Sequence, residues 1–413
     1  EATVTGESGP VFTVEGDVYR CAWPHLGVSV SFDQLSNHST GLHAEITVTQ
    51  ASRHLHWARL NLSSSTVRAG LAKLLETRTK AHAIDWHDLL ETACVKTAHA
   101  FRTPAPIVDL ATIEPSTEVR YAVRPLIHLH ATNILYGDGG SAKSLLALAM
   151  ALAVKGGLQS DQDKPLLPHP ITPILHGPVL YLDYETCEEE QASQLRRLSF
   201  DHCAASSPSI HYLPAHRPFT EDVSHIKAAI QRLGVVLLVV DSMAPACGGR
   251  PEEAETVLNF MNALRSLGPS VTRLVVAHVS KADGDRTRGR IFGSVFARNL
   301  ARSCWEVRVA DEDEGDVLTI GLYHEKVNRG RLQKPFGLQL AFTDSRITIT
   351  NQDLMSYPSL AVSAPLKERV RHLMGTGVTS EPELSRLLEV KPARIKHAME
   401  QIKRACGFGR DQK

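Results

Sequence analysis

The chain has 413 residues, 43% hydrophobic and 22% charged, with acidic and basic side chains in equal number. This composition describes a globular protein of two or more domains and excludes a disordered or collagen-like chain. No apolar run approaches the roughly 20 residues that a bilayer helix needs, which excludes a membrane protein.

Seven cysteines with neither a CxxC pair nor metal-ligand spacing read as reduced thiols of a cytoplasmic protein. With zero net charge, any affinity for nucleic acid must come from local clusters.

Residues 1–104 begin with β-like runs at Val11 to Val18, Gly27 to Phe32 and Leu42 to Val48, the last alternating Ala44, Ile46, Val48. Helical patterns follow over Ser65 to Thr77, with Ser65 as N-cap, and over Trp86 to Arg102. The expectation is a small α+β domain without a catalytic constellation, followed by a proline-bearing linker at 105–125.

From Leu126 the texture changes to short apolar strands separated by helices, the pattern of a parallel sheet covered on both faces. The strands expected are Thr132 to Tyr136, Pro178 to Asp183, Val235 to Asp241 and Arg273 to His278, with β-like runs at Val317 to His324 and Gly337 to Phe342. The α/β domain spans 126–345, a second linker 346–364, and a helical domain 365–413.

The decisive segment reads NILYGDGGSAKSLL, a strand, a glycine-rich turn and an apolar helix. Gly137, Asp138, Gly139, Gly140, Ser141, Ala142, Lys143 and Ser144 fit the phosphate-loop pattern GxxxxGK[ST], with Ala142 in place of the second glycine. Backbone N–H groups from Gly137 through Leu145 would wrap the phosphates of ATP at the helix N-terminus. Lys143 would reach the β and γ phosphates, and the Ser144 hydroxyl would ligate Mg²⁺. A methyl at Ala142 could crowd that cradle. The strand VVLLVVDS, an apolar run ending in a carboxylate, nominates Asp241 as the second support of Mg²⁺ and Ser242 as its neighbour. At the tip of RLVVAHVSK, His278 faces the γ-phosphate position as a sensor candidate.

Taken in order, GDGGSAKS, VLYLDYE, VVLLVVDS, AHVSK, GSVFARNLARSCWEV and HEKVNRG resemble the motifs of RecA-like ring ATPases, most of all the RepA-type replicative helicases. The resemblance covers roughly residues 120 to 345. It implies a RecA-like core whose second strand presents a glutamate to the attacking water. Glu185 is the candidate and Asp183 its rival.

The resemblance also implies an arginine packed on adenine, assigned to Arg197 beside Arg196. It further implies a ring, expected to be a hexamer, in which a basic finger enters the neighbour's site. Lys326, Arg329 and Arg302 are the finger candidates. In the family, the loop KADGDRTRGRI lines the pore and follows single-stranded DNA through phosphates, a role for Lys281, Arg286, Arg288 and Arg290.

The tail from 365 reads as three helices, the second opened by a capping box at Ser380 and Glu383. The third is basic, with Arg394 and Lys396 foremost, in the order of a winged helix-turn-helix or of a partner-docking module. Between Ser363 and Lys413 stand eleven Lys and Arg against six Asp and Glu.

The function expected is therefore an ATP-driven DNA translocase of the replicative helicase kind, working with replication or recombination proteins. A recombinase-like or mediator ATPase and an ATP-switched DNA-binding regulator are the alternatives.

Overall fold

The computed structural model describes residues 9–79, 84–103, 107–114, 120–156, 166–199, 210–279, 291, 295–311 and 315–405. The chain divides into two compact units. One comprises residues up to Thr117 together with Glu221–Gly234, and the other holds the remainder.

In the first unit, five strands form an antiparallel meander: β1 (Val11–Glu15), β2 (Val18–Trp23), β3 (Val28–His38), β4 (Gly41–Gln50) and β5 (Arg53–Asn61). Alternation decides the inward face. Leu42, Ala44, Ile46 and Val48 of β4 are buried, while the residues between them are only partly covered. Over that face pack α1 (Ser65–Thr79) and α2 (Trp86–Arg102), which contribute Leu71, Leu75, Trp86, Leu90 and Ala93 to one core.

The α1 boundary differs from expectation by one residue, because Ser64 Oγ, not that of Ser65, accepts the N–H of Val67. Asp85 caps α2 by accepting from Asp88 N at 3.0 Å. Among the residues of 221–234, Lys227 Nζ joins this unit by donating to both carboxylate oxygens of Asp17 at 2.7 and 2.8 Å.

The second unit is built on β6 (Tyr121–Arg124), β7 (Ile127–His128), β8 (Thr132–Gly137), α3 (Lys143–Lys155), β9 (Thr172–Pro173), β10 (Val179–Asp183), α4 (Glu188–Ser199) and β11 (His211–Pro214). After α5 (Phe219–Leu233), most of which belongs to the first unit, come β12 (Leu237–Asp241), α6 (Met243–Ala246), α7 (Ala254–Ser266), β13 (Thr272–His278) and α8 (Val295–Leu300). Then follow β14 (Ser303–Val309), β15 (Val317–Val327), β16 (Phe336–Phe342) and β17 (Ile347–Gln352). Four helices close the described chain: α9 (Pro358–Ala361), α10 (Leu366–Gly375), α11 (Glu381–Leu388) and α12 (Pro392–Ala405).

Nine strands form one sheet in the order β11-β10-β12-β13-β8-β14-β15-β16-β17. The first six are parallel, and β15, β16 and β17 extend the sheet antiparallel. The apolar runs exist because both faces are covered. Leu237 and Val239 of β12 enter the core built on α3, and Leu238 and Val240 are equally buried on the other face, where α6 packs.

Parallel strands all end at one edge of the sheet, so Gly137, Asp183, Asp241 and His278 lie along a single rim. The last three helices share a small core of Val370, Leu384, Ile395, Ala398 and Ile402. The residues after α12, where a wing is expected, lie outside the described residues.

Candidate functional site

The rim is shaped first by a glycine. At the end of β8, a Cβ on Gly137 would run into the carbonyl oxygen of Val307 on β14, so only glycine lets the chain turn out of the sheet there. The turn continues through Gly140 at φ +75° to Ala142, the N-cap of α3, at φ +56° and ψ +23°. Left-handed backbone costs a non-glycine residue on the order of 1–2 kcal/mol. Ala142 is partly buried and packs against the core around α3.

Lys143 is 4% exposed, and its Nζ donates to Asp138 O at 2.5 Å and Ser141 Oγ at 3.1 Å. Burial pushes its ammonium down from the ordinary lysine value, opposed by Asp241, Glu185 and Asp138. These carboxylates therefore share the space around the lysine.

Asp241, 2% exposed, accepts from Tyr181 Oη at 2.5 Å through Oδ2. Burial, with Glu185 and Asp183 close by, pushes its carboxyl up to about 6, against the lowering effects of Tyr181 and Ser144. Ser144 stands near enough to lower that value, yet Oδ1 of Asp241 has no partner of good hydrogen-bond geometry. A buried, unpartnered carboxylate oxygen beside a hydroxyl is a donor set that fits Mg²⁺, a hard cation taking oxygen ligands.

Two carboxylates follow β10, and the structure treats them differently. Asp183 Oδ1 accepts the N–H groups of Glu185 and Thr186, both at 2.9 Å. Its Oδ2 accepts from Thr186 Oγ1 (2.5 Å), Gln191 Nε2 (2.9 Å) and Tyr212 Oη (3.1 Å). Burial works to raise the Asp183 carboxyl, but these donors outweigh it and hold the group below its ordinary value. With five donors upon it, Asp183 is a structural anchor for the start of α4.

Glu185 is 39% exposed in its side chain. Its Oε1 accepts a short bond from Ser242 Oγ and lies 3.2 Å from His278 Nε2. Glu185, Ser242 and His278 thus meet where β10, β12 and β13 end. Tyr181, Gln191 and Tyr212 were not singled out from the sequence. A tyrosine in the otherwise apolar strand VLYLD, which leads to a carboxylate, was the available signal for Tyr181, because a buried phenol needs an acceptor.

The finger candidates lie at the other end of the strands. Arg302 N donates to Thr132 O, Asn328 N donates to Arg302 O, and Val327 pairs with Ser303. Thr132 begins β8 and Gly137 ends it, five residue steps or about 17 Å away.

Lys326 is already engaged. Its three N–H groups donate to Arg298 O (2.6 Å), Asn299 O (2.8 Å) and Ala301 O (2.6 Å), closing the C-terminus of α8. Arg302 and Arg329 are exposed. Near Arg302, a cavity of about 350 Å³ is lined by His130, Arg265 and Arg273. Arg273 there is 4% exposed with an unpartnered Nε.

Arg197 donates to Thr343 O at 2.6 Å, in the turn between β16 and β17. Lys281, Arg286, Arg288 and Arg290 lie outside the described residues. Arg394 and Lys396 are exposed on α12. No helix among the described residues is long and apolar enough to cross a membrane.

A family model described as an AAA domain matches residues 97–284, a stretch that contains the glycine-rich turn, Glu185, Asp241 and His278. No curated protein matches the chain. The strand-turn-helix at Gly137 to Ser144, within a stretch that is similar to an AAA domain, supports a P-loop ATPase.

Proposed function

We propose that the chain is an ATP-driven DNA translocase of the replicative helicase kind, working as a head-to-tail ring of identical copies. The observation that carries this reading is the distance between two poles of one sheet. The carboxylates and the phosphate loop occupy one rim, and the exposed cations Arg302 and Arg329 occupy the opposite end, about 17 Å away along the strands. A copy cannot bring them to its own phosphates. A neighbour stacked head-to-tail can, and such heterologous contacts form a ring where the rotation between copies closes.

In this reading the loop amides bind the triphosphate, and Lys143 exchanges Asp138 O and Ser141 Oγ for phosphate oxygens. Mg²⁺, when held by Ser144 and Asp241, supplies positive charge to those oxygens. Glu185, fixed by Ser242 and His278, receives a proton from the attacking water. Arg329 or Arg302 of the adjacent copy neutralises the transferring group, an effect worth on the order of a thousandfold or more. Lys326 keeps the end of α8 in place and serves as a positioning residue. The segment holding Lys281, Arg286, Arg288 and Arg290 is assigned to single-stranded DNA, on the strength of its sequence alone.

Steady-state ATP hydrolysis with and without single-stranded DNA tests the scheme. Lys143→Ala is expected to lose nucleotide binding, whereas Glu185→Gln keeps binding and loses turnover by about a hundredfold or more. Mixing Glu185→Gln with Arg302→Ala/Arg329→Ala in equal amounts should restore about a quarter of the sites, because each intact site then draws its two halves from different copies. No recovery on mixing would remove the shared site. Turnover that is indifferent to DNA, with no duplex unwinding, would remove the translocase.

A further inference from the structure

We infer that α12 is a reading helix for duplex DNA, a second nucleic-acid site that is separate from the ATPase rim and does not depend on it. Three observations converge. α11 and α12 are joined by the three residues 389–391, and Glu389 turns the chain at φ +52°. α12 packs on both α10 and α11 through Ile395, Ala398 and Ile402, which fixes one stripe of the helix inward. The helix so held is 14 residues, about 21 Å long, and an α-helix is what the major groove admits.

The remaining face is polar and bears cations at its flanks. At 100° per residue, Ala393, Lys396, His397 and Glu400 lie opposite the buried stripe, spaced i, i+3, i+4, i+7, and all four are exposed. A small residue at the N-terminal end, followed by a lysine and an imidazole, allows close approach and offers donors to guanine O6 and N7. Exposed Arg394 and Lys403 flank this face on opposite sides, spaced to meet phosphates of the two backbones bordering the groove.

Glu400 is the one acid on α12. The acids of α11 and its turn are Glu381, Glu383 and Glu389, and Glu368 of α10 is paired with Lys334 at 3.0 Å and Arg371 at 2.6 Å. The exposed side chains of α12 include Arg394, Lys396 and Lys403 against the single acid Glu400, with no exposed large apolar side chain among those described, which favours a polyanion over a protein partner.

The test uses the full chain and labelled duplex and single-stranded oligonucleotides of the same sequence, titrated by fluorescence anisotropy over roughly 50 to 200 mM salt. Arg394→Ala/Lys403→Ala should weaken duplex binding about tenfold or more and reduce the slope of log affinity against log salt by about two. Lys396→Ala/His397→Ala should weaken duplex binding and flatten any difference between duplex sequences. Arg53→Ala/Lys73→Ala, an equal loss of charge from exposed sites elsewhere, should leave duplex binding unchanged.

Lys143→Ala should also bind duplex normally, so failure of the ATPase scheme and failure of this one are distinguishable. All four α12 positions are exposed, and an unchanged circular dichroism melt certifies folding. The inference is overturned if the α12 variants bind duplex as the native chain does, or lose duplex and single-strand binding equally. It is also overturned if the native chain binds no duplex at low salt.

Discussion

Asp241 carries a burden that can be measured without nucleotide. Its ordinary value of 3.8 rises to about 6 in the folded chain because the carboxyl is buried beside two other acids. At 1.36 kcal/mol per pH unit, ionised Asp241 costs the folded state about 3 kcal/mol once the pH is well above 6.

The sign follows from proton binding. Between about pH 4 and 6 the folded state holds a proton that the unfolded state has released, so stability falls as pH rises through that window. Asp241→Asn keeps an oxygen for the Tyr181 hydroxyl and removes the charge. Metal-free Asp241→Asn should therefore be more stable than the native chain by about 3 kcal/mol at pH 8 and by about half of that at pH 5, while losing Mg²⁺-dependent hydrolysis.

Urea denaturation of both proteins at the two pH values, in the presence of a chelator, makes the comparison. Equal stability at pH 8 would refute the reasoning. It would mean that the carboxylate is already compensated inside the protein and has no unmet need for a cation.

Two further outcomes follow from side chains described above. Ala142→Val places a β-branched residue at φ +56° and should destabilise the ATPase unit by about 2 kcal/mol or more in thermal denaturation, whereas Ala142→Gly should change it by less than about 1 kcal/mol. Lys326→Met preserves the aliphatic stem and removes three donors from the end of α8. It should cost about 1–3 kcal/mol in the same measurement, and unaltered stability would show that the α8 carbonyls do not depend on it.

The parts legible in the sequence are those whose cause is local. Glycine chemistry and a change from strand to helix periodicity disclosed the turn at Gly137, and the apolar run of β12 disclosed itself and its terminal Asp241. The limits expected for α2, Trp86 to Arg102, coincide with those of the structure because an N-cap and an amphipathic pattern suffice.

β14 was not anticipated as a strand, since it holds Glu306 and Arg308, which lie buried or nearly so and pair at 2.8 Å. A charged pair reads as surface until the fold brings it inside. β2 and β5 were missed for a related reason, as mixed sequences such as RHLHWARLN show no clean alternation.

The difference between Asp183 and Glu185 was likewise invisible, because five donors from separate segments distinguish them. The clamp of Lys326 on α8 joins groups 25 to 28 positions apart, and no local pattern encodes it.

The packing of Ala142 bears on how nucleotide is received. Since that side chain packs against the core around α3, the left-handed N-cap at the end of the glycine-rich turn is tied to the packing of the domain and not to a bound ligand. At the binding step Lys143 has one carbonyl and one hydroxyl to leave, those of Asp138 and Ser141.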